Sequence, residues 1–250
     1  MTTNNHNQLK KTGKVTDTFY FKRFKVEDGQ STMKVGTDAV LLGAAAGVEN
    51  VEEILEIGTG CGVISLILAQ RSYARIDAID IDGDSVKQAE VNVMNSPWND
   101  RITIIHKSLQ EFTRQTKRKY DLIITNPPFF SRSLKSELCK RNISRHNDSL
   151  SFKELIQSSS LLMTENASLW VILPARESRE FISTALTSGF FIHSMIRIIP
   201  KPGKEYHRII LQIKKTQSQQ AEEKTLTIKD TNSSYSMEYK ELTKDFYIDF

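Results

Sequence analysis

A chain of 250 residues that is 39% hydrophobic and 26% charged has room for one large α/β domain with a small appendage, and its composition is that of an ordinary globular protein. The longest apolar stretch, AVLLGAAAGV at 39–48, is far too short to cross a bilayer, and no charged-then-apolar leader opens the chain. The two cysteines, Cys61 and Cys139, lack metal-ligand spacing and point to a reduced, cytoplasmic setting; the five histidines are dispersed, so no metal site is expected. Net charge is +4, and the segment 130–147 alone carries as much: Arg132, Lys135, Lys140, Arg141 and Arg145 against Glu137. A solvated loop explains such a segment; a surface for nucleic acid does as well.

In chain order, residues 1–16 form a polar leader expected to be disordered. FYFKRFKVED alternates apolar and basic residues, as a short strand or hairpin arm does. Then a regular rhythm begins. EEILEIG is a strand, VISLILAQRS a helix, and ARIDAIDID a strand. The helix through GDSVKQAEVNVMNSP is opened by Asp82 or Asp84 and closed by Pro97. RITIIH and YDLIITN are strands, and SFKELIQSSSLLM is a helix whose Ser151 and Glu154 form a capping box. ASLWVILP is a strand, and RESREFISTALTSG a helix ending at Gly189. FFIHSMIRIIP and HRIILQIKK are strands joined by KPGKEY, a loop short enough to force an antiparallel pair. The pattern predicts a mostly parallel sheet with helices on both faces and an antiparallel strand near its end. Residues 17–215 form the domain. Residues 216–250 form a tail, opened by a polar linker at 217–224, with one short alternation, TLTIKD, and an aromatic-rich end that packs back.

LEIGTGCGV sets Gly58, Gly60 and Gly62 between the first strand of this rhythm and a helix, where glycines permit a tight turn and close approach of a ligand to a helix N-terminus. Val63 stands where the dinucleotide fingerprint has its third glycine, which weakens a nicotinamide-binding reading. The pattern E-x-G-x-G-x-G, begun by Glu56, resembles motif I of class I S-adenosylmethionine-dependent methyltransferases. Asp80, at the end of the next strand, is where such a sheet meets ribose hydroxyls, while Asp82 also suits a helix cap. The resemblance implies a Rossmann-like, seven-stranded sheet in order 3-2-1-4-5-7-6 with strand 7 antiparallel.

TNPPFF follows the strand YDLII, and Asn126, Pro127, Pro128 and Phe129 resemble the [D/N]-P-P-[F/Y/W] signature of methyltransferases acting on planar amines. An exocyclic amine is a poor nucleophile because its lone pair is delocalised into the ring. Acceptors on its two N–H bonds, the Asn126 side-chain carbonyl and the Pro127 backbone carbonyl, favour pyramidal geometry and free that lone pair. The prolines fix φ and pre-aim the acceptors, and Phe129 offers a stacking face of about 1–3 kcal/mol. A turn with a core aromatic is the structural alternative. Adenine N6, guanine N2 of ribosomal RNA and a release-factor glutamine amide share the signature. Glutamine enzymes carry a helical domain ahead of the glycine loop, for which about fifty residues leave little room here.

From about Phe19 to Phe250, MKVGTDAVLLGAAA, DLIITNPPFF, KPGKEYHRIILQIKK and YSMEYKELTKDFYIDF resemble the bacterial tRNA1(Val) (adenine(37)-N6)-methyltransferase family. The resemblance implies methyl transfer to an adenine in the anticodon loop of a tRNA. It implies a cofactor site of Lys34, Gly36, Thr37, Asp38, Glu56, Gly58, Thr59, Gly60, Gly62, Asp80, Ile81 and Asn126. Where relatives place an Asp against the cofactor adenine this chain has Ser108, so Ser108 or a neighbouring amide takes that place. The target base, turned out of its loop, would meet Phe129 and Phe130. Arg132, Lys135, Arg141, Arg145, Lys204 and Arg208 are candidates for the flanking phosphates, Arg208 equally for an ion pair at the sheet edge.

Overall fold

From Glu53 onward apolar runs of strand length alternate with helices, and the chain winds them into one sheet covered on both faces. In the computed structural model, which describes residues 18–31, 34–127, 150–218 and 220–249, the elements in chain order are β1 (Thr18–Tyr20), β2 (Lys25–Glu27), α1 (Thr37–Ala45), β3 (Glu53–Ile57), α2 (Val63–Arg71), β4 (Arg75–Asp80), α3 (Gly83–Met94), β5 (Ile102–His106), α4 (Leu109–Gln115), β6 (Tyr120–Thr125), α5 (Phe152–Leu162), β7 (Met163–Pro174), α6 (Ala175–Thr187), β8 (Phe191–Ile199), β9 (Arg208–Lys214), β10 (Glu222–Thr227) and α7 (Met237–Thr243). The polar leader 1–16 lies outside the described residues.

The main sheet runs β10-β8-β9-β7-β6-β3-β4-β5, with β9 antiparallel to both neighbours and every other pairing parallel. Read from β5 to β8, seven strands follow the expected 3-2-1-4-5-7-6. The expected count needs correction. Among the described residues the sheet has eight strands, because Glu222–Thr227 pairs in parallel with Ser194–Ile199 and covers an edge that would otherwise present unpaired amides. Four of the six β10 side chains are exposed and polar, so the start of this strand read as linker.

Two apolar layers flank the sheet. One gathers α1, α2 and the tail residues Tyr239 and Phe246; the other gathers α4, α5 and α6. α1 lies close on α2 because Gly43 has no side chain: a Cβ there would sit 2.9 Å from Ile67 Cγ2. Asn92 of α3 fastens the β1–β2 hairpin to the glycine loop, donating to the Glu27 and Cys61 carbonyls, each at 2.8 Å. α5 has the expected Ser151–Glu154 capping box. α4 is additional to the expected helices; its seven residues are too few to show a periodicity. Since β3 to β8 and β10 are parallel apart from β9, their carboxyl ends share one edge, where β9 begins. Open α/β sheets bind ligands at that edge.

Candidate active site

The loop after β3 is built from backbone that side-chain-bearing residues avoid. Gly58, Gly60 and Gly62 have φ of +74°, +57° and +85°. A Cβ on Gly58 would meet nothing within 4 Å, so this backbone lies open to the cavity above it. The Gly58 and Thr59 amides donate to the Ile79 carbonyl at 2.9 and 3.1 Å, and Gly60 N donates to Asp80 Oδ2 at 2.8 Å. The other Asp80 oxygen accepts from Asp82 N at 2.9 Å. Asp80 thus ties the loop to the start of α3; burial holds its carboxyl above the usual range, against the pull of those two amides. Asp82 caps α3 through Ser85 N at 3.0 Å.

Glu56 supports the loop from below and is fully buried. Its Oε2 accepts from Thr59 Oγ1 at 2.9 Å, Ser65 N at 3.0 Å and the Ser65 hydroxyl, while Oε1 has no partner among the described residues. Burial pushes its carboxyl up to about 7, over the opposing effect of those donors. Cys61 borders the same loop, and burial pushes its thiol up to about 12, which leaves it unreactive at neutral pH.

Above the loop opens a cavity of about 460 Å³. Gly58, Thr59 and Gly60 form its floor, and Lys34, Gly36, Thr37 and Asp38 one side. Asn126 stands at the end of β6, held against β3 by the bond from Thr125 Oγ1 to the Ile57 carbonyl at 2.9 Å. Asn126 is buried, and its Oδ1 has no hydrogen-bond partner among the described residues. A buried acceptor of this kind costs about 1–3 kcal/mol, which a fold tolerates where a ligand will satisfy it. His207, Ile228, Lys229 and Tyr235 also line the cavity, and were not anticipated. His207 and Tyr235 fall in segments that carry the family resemblance, KPGKEYHRIILQIKK and YSMEYKELTKDFYIDF, but no spacing in either marks them as cavity lining.

The other expected residues are dispersed. Ile81 is 51% exposed beside Asp80, outside the cavity lining. Neither Glu56 nor Gly62 lines the cavity: Glu56 is buried beneath the loop, and Gly62 ends the loop as the N-cap of α2. Arg208, weighed equally for phosphate and for an ion pair, pairs with Asp38 at 2.7 Å. Lys204 sits on the exposed turn between β8 and β9. Pro127 is buried beside Asn126, whereas Pro128, Phe129, Phe130, Arg132, Lys135, Arg141 and Arg145 lie outside the described residues. Ser108 is the N-cap of α4: its hydroxyl donates to Glu111 Oε2 at 2.8 Å and accepts from Glu111 N at 3.2 Å. Replacing Ser108 with Ala is expected to lower stability by about 1 kcal/mol through the lost cap. Cofactor affinity, measured by calorimetry, should stay unchanged; a large fall would show that Ser108 touches the cofactor. Among the described residues no cluster of His, Cys, Asp or Glu side chains suits a metal, and no helix is long and apolar enough to cross a membrane.

A glycine floor open to ligand, an acid ending the adjacent strand, an aimed amide acceptor and the antiparallel β9 define a class I S-adenosylmethionine-dependent methyltransferase. The model of the "Methyltransferase small domain" family matches residues 31–176. A tRNA1(Val) (adenine(37)-N6)-methyltransferase of Phocaeicola vulgatus is 44% identical over 92% of this chain and 97% of its own length. One of Flavobacterium johnsoniae is 40% identical over 92% of this chain and 99% of its own. The chain belongs to the tRNA1(Val) (adenine(37)-N6)-methyltransferase family. Its fold is shared by a predicted O-methyltransferase from Agrobacterium tumefaciens, 19% identical with a TM-score of 0.64 over 84% of this chain and 96% of that one. It is also shared by P. horikoshii TYW2 in complex with MeSAdo, 14% identical with a TM-score of 0.56 over 82% and 73% of the two chains.

Proposed function

We propose that this protein methylates the N6 amino group of an adenine in tRNA, adenine 37 beside the anticodon of tRNA1(Val), in the cytoplasm. The observation that carries the reading is Asn126 Oδ1, buried without a partner among the described residues, beside an open glycine floor. S-adenosylmethionine supplies a methyl group on a sulfonium, a good leaving group. The chain's own task is then to hold and shape the amine. Asn126 Oδ1 accepts one N–H and the Pro127 carbonyl the other, so the nitrogen becomes pyramidal and its lone pair turns toward the glycine-loop side. No strong base is needed before attack; the proton leaves afterwards.

Asp80 and Ile81 would hold the adenosine end of the cofactor. Gly58, Thr59 and Gly60, with Lys34, Gly36, Thr37 and Asp38, would hold its amino-acid end, Arg208 keeping the Asp38 carboxylate in place. Stacking by Phe129 and Phe130 and phosphate contacts from Arg132, Lys135, Arg141, Arg145 and Lys204 complete the proposal. Residues 17–215 act as the catalytic domain, and the tail 216–250 belongs to the same unit, supported by Ile228, Lys229 and Tyr235 on the cavity wall.

The test is methyl transfer from labelled S-adenosylmethionine to tRNA from cells lacking the activity, followed by nucleoside mass spectrometry. Label recovered as N6-methyladenosine is expected. Label absent from tRNA but present on a release factor, or on ribosomal RNA as N2-methylguanosine, would reassign the substrate.

A further inference from the structure

Three residues of the cavity lining, Ile228, Lys229 and Tyr235, come from a segment that the methyl-transfer chemistry does not require. After β10 the chain turns back on itself through Asp230–Ser234, and the turn is firmly built. Asp230 Oδ1 accepts from Asn232 N at 2.8 Å and Ser234 N at 3.0 Å, and Asp230 N donates to the Ser234 carbonyl at 2.8 Å. Lys229 and Tyr235 are bridged across it. Ile228 N and Lys229 N donate to the Ile199 and Pro200 carbonyls at 2.8 and 3.1 Å, which anchors the turn to the end of β8. Ser236 closes it, donating to the Thr227 carbonyl at 2.5 Å and accepting from Tyr239 N at 3.0 Å.

On this support Tyr235 is stacked on the buried Tyr239, ring centroids 4.9 Å apart at 12°, yet remains 42% exposed where it borders the cavity shared with Asn126. Lys229 Nζ lies 5.8 Å from the centroid of the Tyr235 ring. An aromatic already stacked on a buried neighbour loses little freedom when a ligand packs on it. A nucleobase offers a π-face to such a ring, and its phosphate offers a partner to a nearby ammonium. Asp80 and Ile81, proposed above for the adenosine end of the cofactor, do not line this cavity. We infer that Tyr235 and Lys229 form a nucleotide-binding wall, the Tyr235 ring packing on a base of the RNA substrate in the cavity that Asn126 also lines and Lys229 binding an adjoining phosphate. This inference rests on the proposed RNA substrate.

The experiment is steady-state kinetics on tRNA with Tyr235→Ala, Tyr235→Leu, Tyr235→Phe and Lys229→Ala, beside calorimetric titration of S-adenosylmethionine. Tyr235→Ala should lower kcat/KM for tRNA about 10- to 100-fold. Tyr235→Leu keeps an apolar pack on Tyr239 without a π-face and should fall equally; Tyr235→Phe should stay near wild type. Cofactor affinity should hold in all four. Lys229→Ala should reduce the slope of log(kcat/KM) against log salt by about one. Wild-type kinetics in Tyr235→Ala, recovery by Leu, loss in Phe, or a matching fall in cofactor affinity would overturn the inference while the enzyme itself stays active on tRNA. A wild-type protein inactive on every tRNA would overturn the proposed function, and this wall with it.

Discussion

Asn126→Ala is expected to lower the methyl-transfer rate about 1,000-fold, the scale of removing one pre-aimed polar group from a reacting centre. It should do so without lowering stability. The side-chain oxygen is buried and lacks a partner among the described residues, so the resting protein bears the cost of holding it dry. Truncation relieves about 1–3 kcal/mol of that cost, and the small void it leaves takes back about 1 kcal/mol. The net is an unfolding free energy that stays level or rises slightly. An ordinary buried Asn behaves the opposite way: its loss breaks bonds, and stability and activity fall together. Single-turnover rates with labelled cofactor, set beside urea denaturation, separate the two cases. Asn126→Asp keeps an acceptor oxygen at the same place and should retain far more of the rate than Ala. Activity surviving in Ala, or a stability loss large enough to explain its absence, would remove Asn126 from the chemistry.

Why Asn126 was legible, and Tyr235 was not, follows from how each is encoded. The glycine loop demands three residues with positive φ in five positions, and only glycine meets that demand cheaply. A strand must end before the NPPF prolines, since they cannot donate to a ladder. The strand order was accessible because the short 200–207 loop forces β8 and β9 to be antiparallel, which fixes the sheet's far end. The part of the cavity lining that follows β10 has no such grammar. It depends on β10, a strand with mostly exposed side chains whose pairing is set by an open edge of β8, about thirty residues back in the chain. Ser108 shows a different limit. The family resemblance singles out its position, but the competing local pattern S-x-x-E accounts for its hydroxyl through a capping box. Arg208 suits a phosphate or an ion pair equally well in sequence, because the partner that decides it, Asp38, stands 170 positions away.

The second large effect is a stability that declines as pH rises through the weakly acidic range, with Glu56 as its main source. In the unfolded chain this carboxyl has its ordinary value of 4.5; in the fold, burial pushes it up to about 7. Below 4.5 both states carry the proton and nothing is lost. Between 4.5 and 7 the folded protein binds more proton than the unfolded chain, so each rise in pH favours unfolding. Above 7 both are ionised and the full cost, about 3 kcal/mol for a shift of this size, is in place. Asp80 is shifted in the same direction and adds to the slope. The donors to Oε2 already suit either form, so the proton belongs on the unpartnered Oε1. Urea denaturation at pH 5 and pH 8 should therefore show the wild type weaker at pH 8. Glu56→Gln keeps an acceptor for Thr59 and Ser65 but cannot ionise, so its two curves should lie closer together. Glu56→Ala should be less stable at both pH values by about 2–4 kcal/mol, because it leaves the Ser65 and Thr59 donors buried beneath the loop without an acceptor. It should also weaken cofactor binding, since that loop is the floor of the site. Parallel pH dependence in wild type and Gln would assign the slope to Asp80 or another group and leave Glu56 a purely structural support for the loop.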